Sequence, residues 1–235
     1  MPKIILAIPV YNEEKILNGS IEKLHNYMSQ NIKYDWEIII ADNGSTDRTK
    51  EISDNLSKNL QRVSSVHLGF KGRGNALKYV WTNFKADVYA YCDADLATDI
   101  SNLKELFDSV IDGNNLVIGS RYNKGSASKR TFGRWLISVI YIFCVKLLFK
   151  TKICDFQCGF KALDNKIVKE IIPQIKDKEW FFDTELILLA EHSKRYRIKE
   201  LPIRWQETRV KDSKVKILKT SINYIKNLVR LRLNI

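Results

Sequence analysis

The sequence predicts an α/β domain in which a mostly parallel β-sheet is flanked by helices. Short apolar runs, many of them β-branched, alternate through the first half with amphipathic stretches of helical periodicity. The 235 residues, 45% of them hydrophobic and 28% charged, can form a sizeable core, which excludes a disordered or collagen-like chain. Because no linker rich in Pro, Gly and Ser divides the chain, we expect a single domain over residues 1–235.

Strands and helices are predicted to alternate one by one through the first half. The strands are expected at residues 4–10, 37–41, 64–68, 88–92 and 116–119. The helices that follow the first four are expected at residues 15–30, 49–60, 75–84 and 103–111. Since a helix separates each strand from the next, the connections are βαβ units and the strands run parallel.

The second half follows a different pattern. After a basic loop at residues 124–130, an apolar helix is predicted at residues 132–149 and a glycine-containing turn around residues 155–161. A helix at residues 184–192, a strand at residues 197–205 and an amphipathic helix at residues 215–233 complete the prediction.

Charge and cysteine content narrow the class of partner and the compartment. Lys and Arg number 39 against 27 Asp and Glu, and the net charge of +12 favours an anionic partner: nucleic acid, a phosphorylated small molecule or an acidic membrane. The four cysteines lack zinc-site spacing and are expected to be free thiols in a reducing compartment. No secretory signal is recognised, so we expect a cytoplasmic location. The apolar run 136–149 contains Lys146 and is shorter than the roughly 20 residues of a spanning helix.

Polar or glycine-rich segments directly follow each predicted strand of the first half. They are residues 9–13, 42–47, 69–74, 93–95 and 120–121. In an open parallel sheet these loops meet at one edge, where ligands bind outside the carboxyl ends of the strands. The sequence therefore predicts one ligand site built from five loops.

Three of these segments have a chemical interpretation and a plainer alternative. Asp93 and Asp95 could together approach one hard divalent cation, or could simply be turn carboxylates. The glycine-rich segment 69–74 could bind phosphate, or could be an ordinary turn with solvated cations. Asp42 could accept hydrogen bonds from a base or ribose, or could shape the turn. The loops lack the Walker and G-x-G-x-x-G patterns, so a P-loop NTPase and a nicotinamide dehydrogenase are not supported.

Eight motifs, taken in order, resemble the inverting nucleotide-sugar glycosyltransferases of GT-A fold, and among them the dolichyl- and polyprenyl-phosphate glucose and mannose synthases. The motifs are residues 8–14, 42–47, 71–77, 93–98, 119–121, 155–161, 180–186 and 201–205. The resemblance implies a Rossmann-like sheet with C-terminal amphipathic helices. It also implies a nucleotide-sugar-binding half at residues 1–125 and an acceptor and membrane-facing half at residues 126–235.

The resemblance also implies roles for individual residues. Nucleotide-sugar contacts are expected from Pro9, Tyr11, Glu13, Ile40, Asp42, Lys71, Asp93, Ala94, Asp95, Arg121, Arg209 and Lys214. Asp93 and Asp95 would hold Mg²⁺ or Mn²⁺ and, with Arg121, form the catalytic set. The acceptor contacts would be Arg134, Gln157 and Lys161.

Two departures from the family pattern bear on the donor. Asn43 stands where the family often has a second Asp, and Ala97 stands where similar mannose synthases often carry Gln. The motifs at residues 155–161 and 180–186 look more like those of the glucose synthases. We therefore favour UDP-glucose over GDP-mannose as the donor.

The acceptor is predicted to be a polyprenyl or dolichyl phosphate at the cytosolic face of a membrane. A phosphate is already an anionic nucleophile, so it needs cations that position it more than it needs a general base. The sequence agrees with this, because no acid is expected beside any of the three histidines to make it a base. Residues 204–235 hold nine cations and two acids, and Leu218, Ile222, Ile225 and Val229 repeat at helical spacing. That helix could lie on anionic lipid or pack on its own sheet, and the helix at residues 132–149 could dip into headgroups or be a core or dimer helix. Attachment would be peripheral, or through a membrane-anchoring subunit.

Two other functions are considered. A soluble glycan could be the acceptor, with Asp155 or Asp183 as the base that a hydroxyl group requires. A basic nucleic-acid-binding protein is disfavoured, since no RRM, helix-turn-helix or zinc-finger pattern is present, so no nucleic acid partner is expected.

Overall fold

A computed structural model describes residues 1–129, 131–207 and 217–235, with all their side chains except those of residues 134 and 217–222. The strands are β1 (Lys3–Val10), β2 (Asp35–Asp42), β3 (Val63–His67), β4 (Val88–Cys92), β5 (Leu116–Ser120), β6 (Ala127–Lys129), β7 (Phe160–Asp164), β8 (Ile198–Pro202) and β9 (Arg204–Gln206). The α-helices are α1 (Leu17–Asn31), α2 (Thr49–Asn59), α3 (Arg73–Asn83), α4 (Leu103–Ile111), α5 (Phe132–Phe149), α6 (Asn165–Glu170), α7 (Phe182–His192) and α8 (Ile217–Asn234).

Seven strands form one sheet in the order β3-β2-β1-β4-β7-β5-β8, and only β7 within it runs antiparallel to its neighbours. The chain passes from β1 outward to β2 and β3, then returns to the other side of β1 to form β4. This reversal opens a crevice at the carboxyl ends of β1 and β4. The predicted α/β class with a mostly parallel sheet is confirmed.

Both faces of the sheet are buried, as the continuous apolar strands predict. Ile4 and Leu6 of β1 pack in one core cluster with Leu24 of α1, whereas Ile5 lies in a second cluster with Leu77 of α3. Successive side chains of a strand point to opposite faces, so one apolar strand serves both layers.

The turn predicted around residues 155–161 is wrong for its last two residues, because β7 begins at Phe160. Lys161 interrupts the apolar pattern of this strand, yet it is 0% exposed and pairs with a carboxylate from α7. A charge at a buried strand position hides the strand from pattern analysis. The single strand predicted at residues 197–205 is likewise two strands, of which β9 pairs with β6 in a small parallel sheet.

Helices α5 and α8 each combine a packed face with an exposed apolar face. Val145 of α5 and Leu228 and Leu231 of α8 are buried in the core. Phe143 and Leu147 of α5 are 65% and 70% exposed. The packing alternative therefore holds for the buried face of each helix, whereas contact of the exposed face with lipid stays a prediction. Within the described residues, no helix combines the length and apolar character needed to cross a bilayer.

Candidate functional site

Hydrogen bonds join the loops that follow β1 and β2 into one surface. The Asn12 amide donates to Ser45 Oγ at 2.9 Å, and the Thr46 amide donates to Asn12 Oδ1 at 2.7 Å. Asn43 Nδ2 donates to the Val10 carbonyl at 2.7 Å. A carboxylate could not make this last bond, which gives Asn43 a structural role where the family often has Asp.

The next loop closes over the same surface. The Lys71 ammonium lies 4.0 Å from the centre of the Tyr11 ring, and Asn43 Oδ1 accepts from the Gly72 amide at 3.3 Å. Lys71 is exposed and Tyr11 is half-buried. Two side chains expected at the nucleotide, from different loops, are thus in contact.

Asp42 is buried at the end of β2 and is held at both carboxylate oxygens. Its Oδ1 accepts from the Ser45 amide at 3.0 Å, and its Oδ2 lies 3.2 Å from His67 Nδ1. His67 Nε2 lies 2.7 Å from Asp54 Oδ1, and this hydrogen bond lowers the pKa of Asp54. The expectation that no acid accompanies the histidines is wrong for His67, because strand pairing sets it opposite Asp42.

Asp93 and Asp95 lie together at the end of β4. The Asp93 side chain is 42% exposed, and its Oδ1 accepts from Arg73 Nη2 at 3.0 Å and from Nε at 3.3 Å. Asp95 Oδ1 accepts from the Ala97 amide at 3.2 Å.

This donor set fits a hard divalent cation. Among the described residues there is no group of three or more His, Cys, Asp or Glu arranged for a metal. Asp93 and Asp95 could supply carboxylate oxygens to such a cation, which would leave its other ligand positions to water or a bound anion. Mg²⁺ and Mn²⁺ accept such an oxygen set.

A buried charged cluster lies next to Asp93. Asp183 of α7 pairs with Lys161 of β7 at 2.9 Å, pairs with Arg73, and accepts from the Tyr91 hydroxyl. Burial by itself raises the pKa of Asp183, but the charges of Lys161 and Arg73 more than offset this and hold it below its ordinary value. Lys161 was expected at the acceptor, yet the structure encloses it completely.

A second buried pair lies at the end of β5. Arg121 Nε donates to Asp155 Oδ2 at 2.7 Å and Nη2 donates to Oδ1 at 2.8 Å, which makes a bidentate pair. The backbone amide of Arg121 also donates to Asp155 Oδ2, at 3.0 Å. Burial would raise the pKa of Asp155, but Arg121 lowers it below its ordinary value. The carboxylate is therefore ionised at neutral pH and already fully engaged.

A cavity of about 470 Å³ lies between α5 and α8, and we call it the α5/α8 cavity. Its polar lining includes Arg121, Asp155 and Gln157. Its apolar lining includes Ile140, Phe156, Trp180, Ile225 and Leu228. Gln157 is anchored, since its Nε2 donates to Thr184 Oγ1 at 2.7 Å and its Oε1 accepts from the Tyr224 hydroxyl at 2.8 Å.

The remaining candidates fall into two groups. Pro9 and Ile40 are buried near the carboxyl ends of β1 and β2, and Ala94 is buried just after β4. Glu13 is half-buried, and its amide donates to Thr49 Oγ1. Arg209, Lys214 and the side chain of Arg134 lie outside the described residues.

Arg73 and Asp183 are the residues whose place sequence reasoning missed. Arg73 was assigned only to a phosphate-binding loop and Asp183 only to a possible base. The signal for Asp183 is a carboxylate directly after two phenylalanines, whereas no local signal marks Arg73, which stands between two glycines in a polar loop.

Comparison with known proteins agrees with this architecture. The family model described as "Glycosyl transferase family 2" matches residues 5–172. A dolichyl-phosphate beta-glucosyltransferase from Trichomonas vaginalis is 32% identical over 222 residues, which cover 90% of this chain and 68% of that protein. Glycosyltransferase AglD from Haloferax volcanii is 30% identical over 210 residues, or 87% of this chain. The chain spans only 33% of that second protein.

Solved structures support the fold. Glucosyl-3-phosphoglycerate synthase from Mycobacterium tuberculosis, in complex with Mn²⁺, UDP-glucose and phosphoglyceric acid, superposes with a TM-score of 0.69. The match covers 98% of this chain and 80% of that one at 17% identity. The predicted GT-A type of α/β fold is confirmed by this match, and the predicted membership of a glycosyltransferase family is confirmed by the family model. The chain belongs to glycosyl transferase family 2.

Proposed function

We propose that this chain transfers a hexose, with inversion, from a nucleotide sugar to a polyprenyl or dolichyl phosphate. UDP-glucose is the favoured donor and GDP-mannose the alternative. The observation that carries the proposal is the α5/α8 cavity, an apolar space whose lining includes Arg121. The names of relatives from Trichomonas vaginalis and Saccharomyces cerevisiae, both dolichyl-phosphate beta-glucosyltransferases, agree with it.

Contacts link this cavity to the carboxylates of the donor site. Gln157 lines the cavity, and two residues further on, the Gly159 carbonyl accepts from the Asp93 amide at 3.1 Å. Trp180 also lines the cavity, and its ring lies 5.1 Å from the guanidinium carbon of Arg73, which binds Asp93. A lipid phosphate at the polar lining would therefore lie near the donor sugar.

The state of the nearby carboxylates favours a phosphate over a hydroxyl acceptor. Asp155 and Asp183 were the candidate bases for a hydroxyl group, but both are buried and paired with cations, and the pKa of each is lowered. Such carboxylates are poor proton acceptors. A phosphate monoester needs no base, since it is largely ionised near neutral pH.

In this mechanism the residues mainly position charge. Asp93 and Asp95 would hold Mg²⁺ or Mn²⁺, which when bound neutralises charge on the departing diphosphate. Lys71, exposed over Tyr11, would contact the same diphosphate. A guanidinium has five N–H donors and Asp155 takes two from Arg121, so Arg121 would also orient the acceptor phosphate. An acceptor oxygen then bonds to the anomeric carbon as the bond from that carbon to the diphosphate oxygen breaks.

The exposed apolar face of α5 and α8 supports contact with a membrane. We define this face by Leu136, Ile140, Phe143 and Leu147 of α5 with Ile225, Val229 and Leu233 of α8. The sequence of residues 204–235 adds a local excess of seven positive charges, which suits anionic lipid. We propose peripheral attachment at the cytosolic face, directly or through an anchoring subunit, with residues 1–125 binding the donor and residues 126–235 the acceptor.

The test is transfer of radiolabel from UDP-glucose and GDP-mannose, in parallel, to a short polyprenyl phosphate with Mg²⁺ or Mn²⁺. Label extracted into organic solvent from one donor, and lost on chelation, is the expected result. The matched control replaces the lipid phosphate by the free polyprenol, which should accept no label. Label that stays in the aqueous phase on an added glycan would contradict the lipid acceptor.

A further inference from the structure

Arg73 belongs to the glycine-rich loop expected to bind phosphate, but its side chain points into the protein. The residue is 7% exposed, and its guanidinium carbon lies 4.8 Å from the centre of the Tyr91 ring and 5.1 Å from that of Trp180. A phosphate-binding cation must face its ligand, whereas this guanidinium is enclosed by aromatic rings and carboxylates. Its role must therefore be sought among its protein partners.

Those partners are Asp93 and Asp183. Nη2 and Nε of Arg73 donate to one oxygen of Asp93, Oδ1, while Nη1 donates to Asp183 Oδ2. Asp183 is 1% exposed and is also bound by Lys161 and Tyr91. Arg73 is thus a bridge between a carboxylate fixed in the core and a carboxylate at the donor site.

The other oxygen of Asp93 is positioned by Gly159. A Cβ added to Gly159 would overlap the Asp93 carboxylate, and its nearest atom would be Oδ2. Asp93 therefore lies directly against the backbone at Gly159, with Arg73 on its opposite oxygen. The two contacts together select one orientation of the carboxylate.

We propose that Arg73 and Gly159 are positioning residues that set the Asp93 carboxylate for donor and metal binding, and that Asp183 anchors Arg73. The proposal rests on the proposed function in assigning the donor to Asp93. It replaces the phosphate-binding role expected of Arg73. As the anchor of Arg73, Asp183 must stay ionised, whereas a base for a hydroxyl acceptor would have to take up a proton.

The first test is Arg73→Lys, which keeps the charge and removes the planar fork that spans two carboxylates. Binding of UDP with Mn²⁺ is measured by calorimetry without acceptor, and kcat and KM for both substrates are measured separately. Misplacing a group that orients a metal ligand costs roughly 10- to 100-fold in affinity or activity. We expect a loss of that size in UDP–Mn²⁺ binding and in kcat, with the acceptor KM unchanged.

The second test is Gly159→Ala, which probes the position of the Asp93 carboxylate even if Arg73→Lys fails to fold. It leaves every charge in place, and the nearest atoms that its Cβ would meet all belong to Asp93. The same loss of UDP–Mn²⁺ binding is therefore expected in a variant that thermal unfolding shows to be folded at the assay temperature. Gly19→Ala is the matched control, because a Cβ there meets no atom within 4 Å. Gly159→Ala binding UDP–Mn²⁺ within twofold of the wild type would overturn the proposal. A wild type that binds UDP–Mn²⁺ but labels no lipid would instead contradict the proposed function.

Discussion

The carboxyl edge of the sheet and the apolar face of α5 and α8 each hold side chains in unfavourable surroundings. At the edge these are buried charges, and on the face they are exposed apolar side chains. At the edge, Arg73, Lys161 and Asp183 are buried charges, and each contacts an opposite charge. On the face, Phe143 and Leu147 stay exposed although the chain has a large core. A buried charge is tolerated only when its partner is in place, and at the edge the chain itself supplies the partners of these three charges. An exposed apolar face gains stability only when something covers it, which is why we propose this face as the membrane contact.

The largest expected effect separates chemistry from folding at the edge. Asp95→Ala should lower transfer by roughly 1000-fold, the cost typical of removing a group that stabilises developing charge. The melting temperature should hardly change, since Asp95 is only half-buried. Activity and thermal unfolding are measured side by side, with the exposed Asp112→Ala as control. Turnover that persists in this variant, or in a chelator, would refute the role of the two carboxylates.

A second prediction tests whether the buried pairs stabilise the fold. Asp155→Asn leaves Arg121 without its countercharge and should cost about 3 kcal/mol at pH 7. Because the pKa of Asp155 is lowered in the folded protein, this stabilisation is complete above the unfolded value of about 3.9 and is lost as pH falls through the folded value. The free energies of urea unfolding of the two proteins should therefore differ at pH 7 and begin to converge only as the pH falls below about 4.

The control for this comparison is Glu51→Gln, which removes a partner of Arg48 at the exposed surface of α2. Solvent screens such a pair, so the free energy of unfolding should change little. An equal loss of unfolding free energy in the two variants would show that burial does not explain how strongly the Arg121–Asp155 pair stabilises the fold.

The smallest effect concerns the apolar face. Phe143→Glu combined with Leu147→Glu should lower binding to anionic vesicles at least about tenfold, because two side chains that would enter lipid now carry charge. Stability in solution should be unchanged, since both positions are exposed. Vesicle co-sedimentation measures the binding, with Ile111→Glu on α4, outside this face, as the matched exposed apolar control. Equal loss from all variants would argue against a specific lipid-facing surface.

Much of the structure of residues 1–125 could be predicted from local sequence. The apolar runs of β1, β2 and β4 end where predicted, to within one residue, and the polar residues that follow them lie at the sheet edge. The pattern failed at β7, where Lys161 stands at a buried position. It also failed at His67, whose acid partners come from β2 and α2.

The sequence by itself determined the α/β class, the strand-end loops and the family, because these depend on periodicity and on motifs a few residues long. Only the tertiary structure decided which charges meet. Arg73 and Asp183 are 110 residues apart, and no local pattern joins them. It also decided which faces of α5 and α8 pack inward, with Leu228 buried and Ile225 exposed. Side-chain pairing and burial depend on how distant segments pack, and that information appears only when the chain is folded.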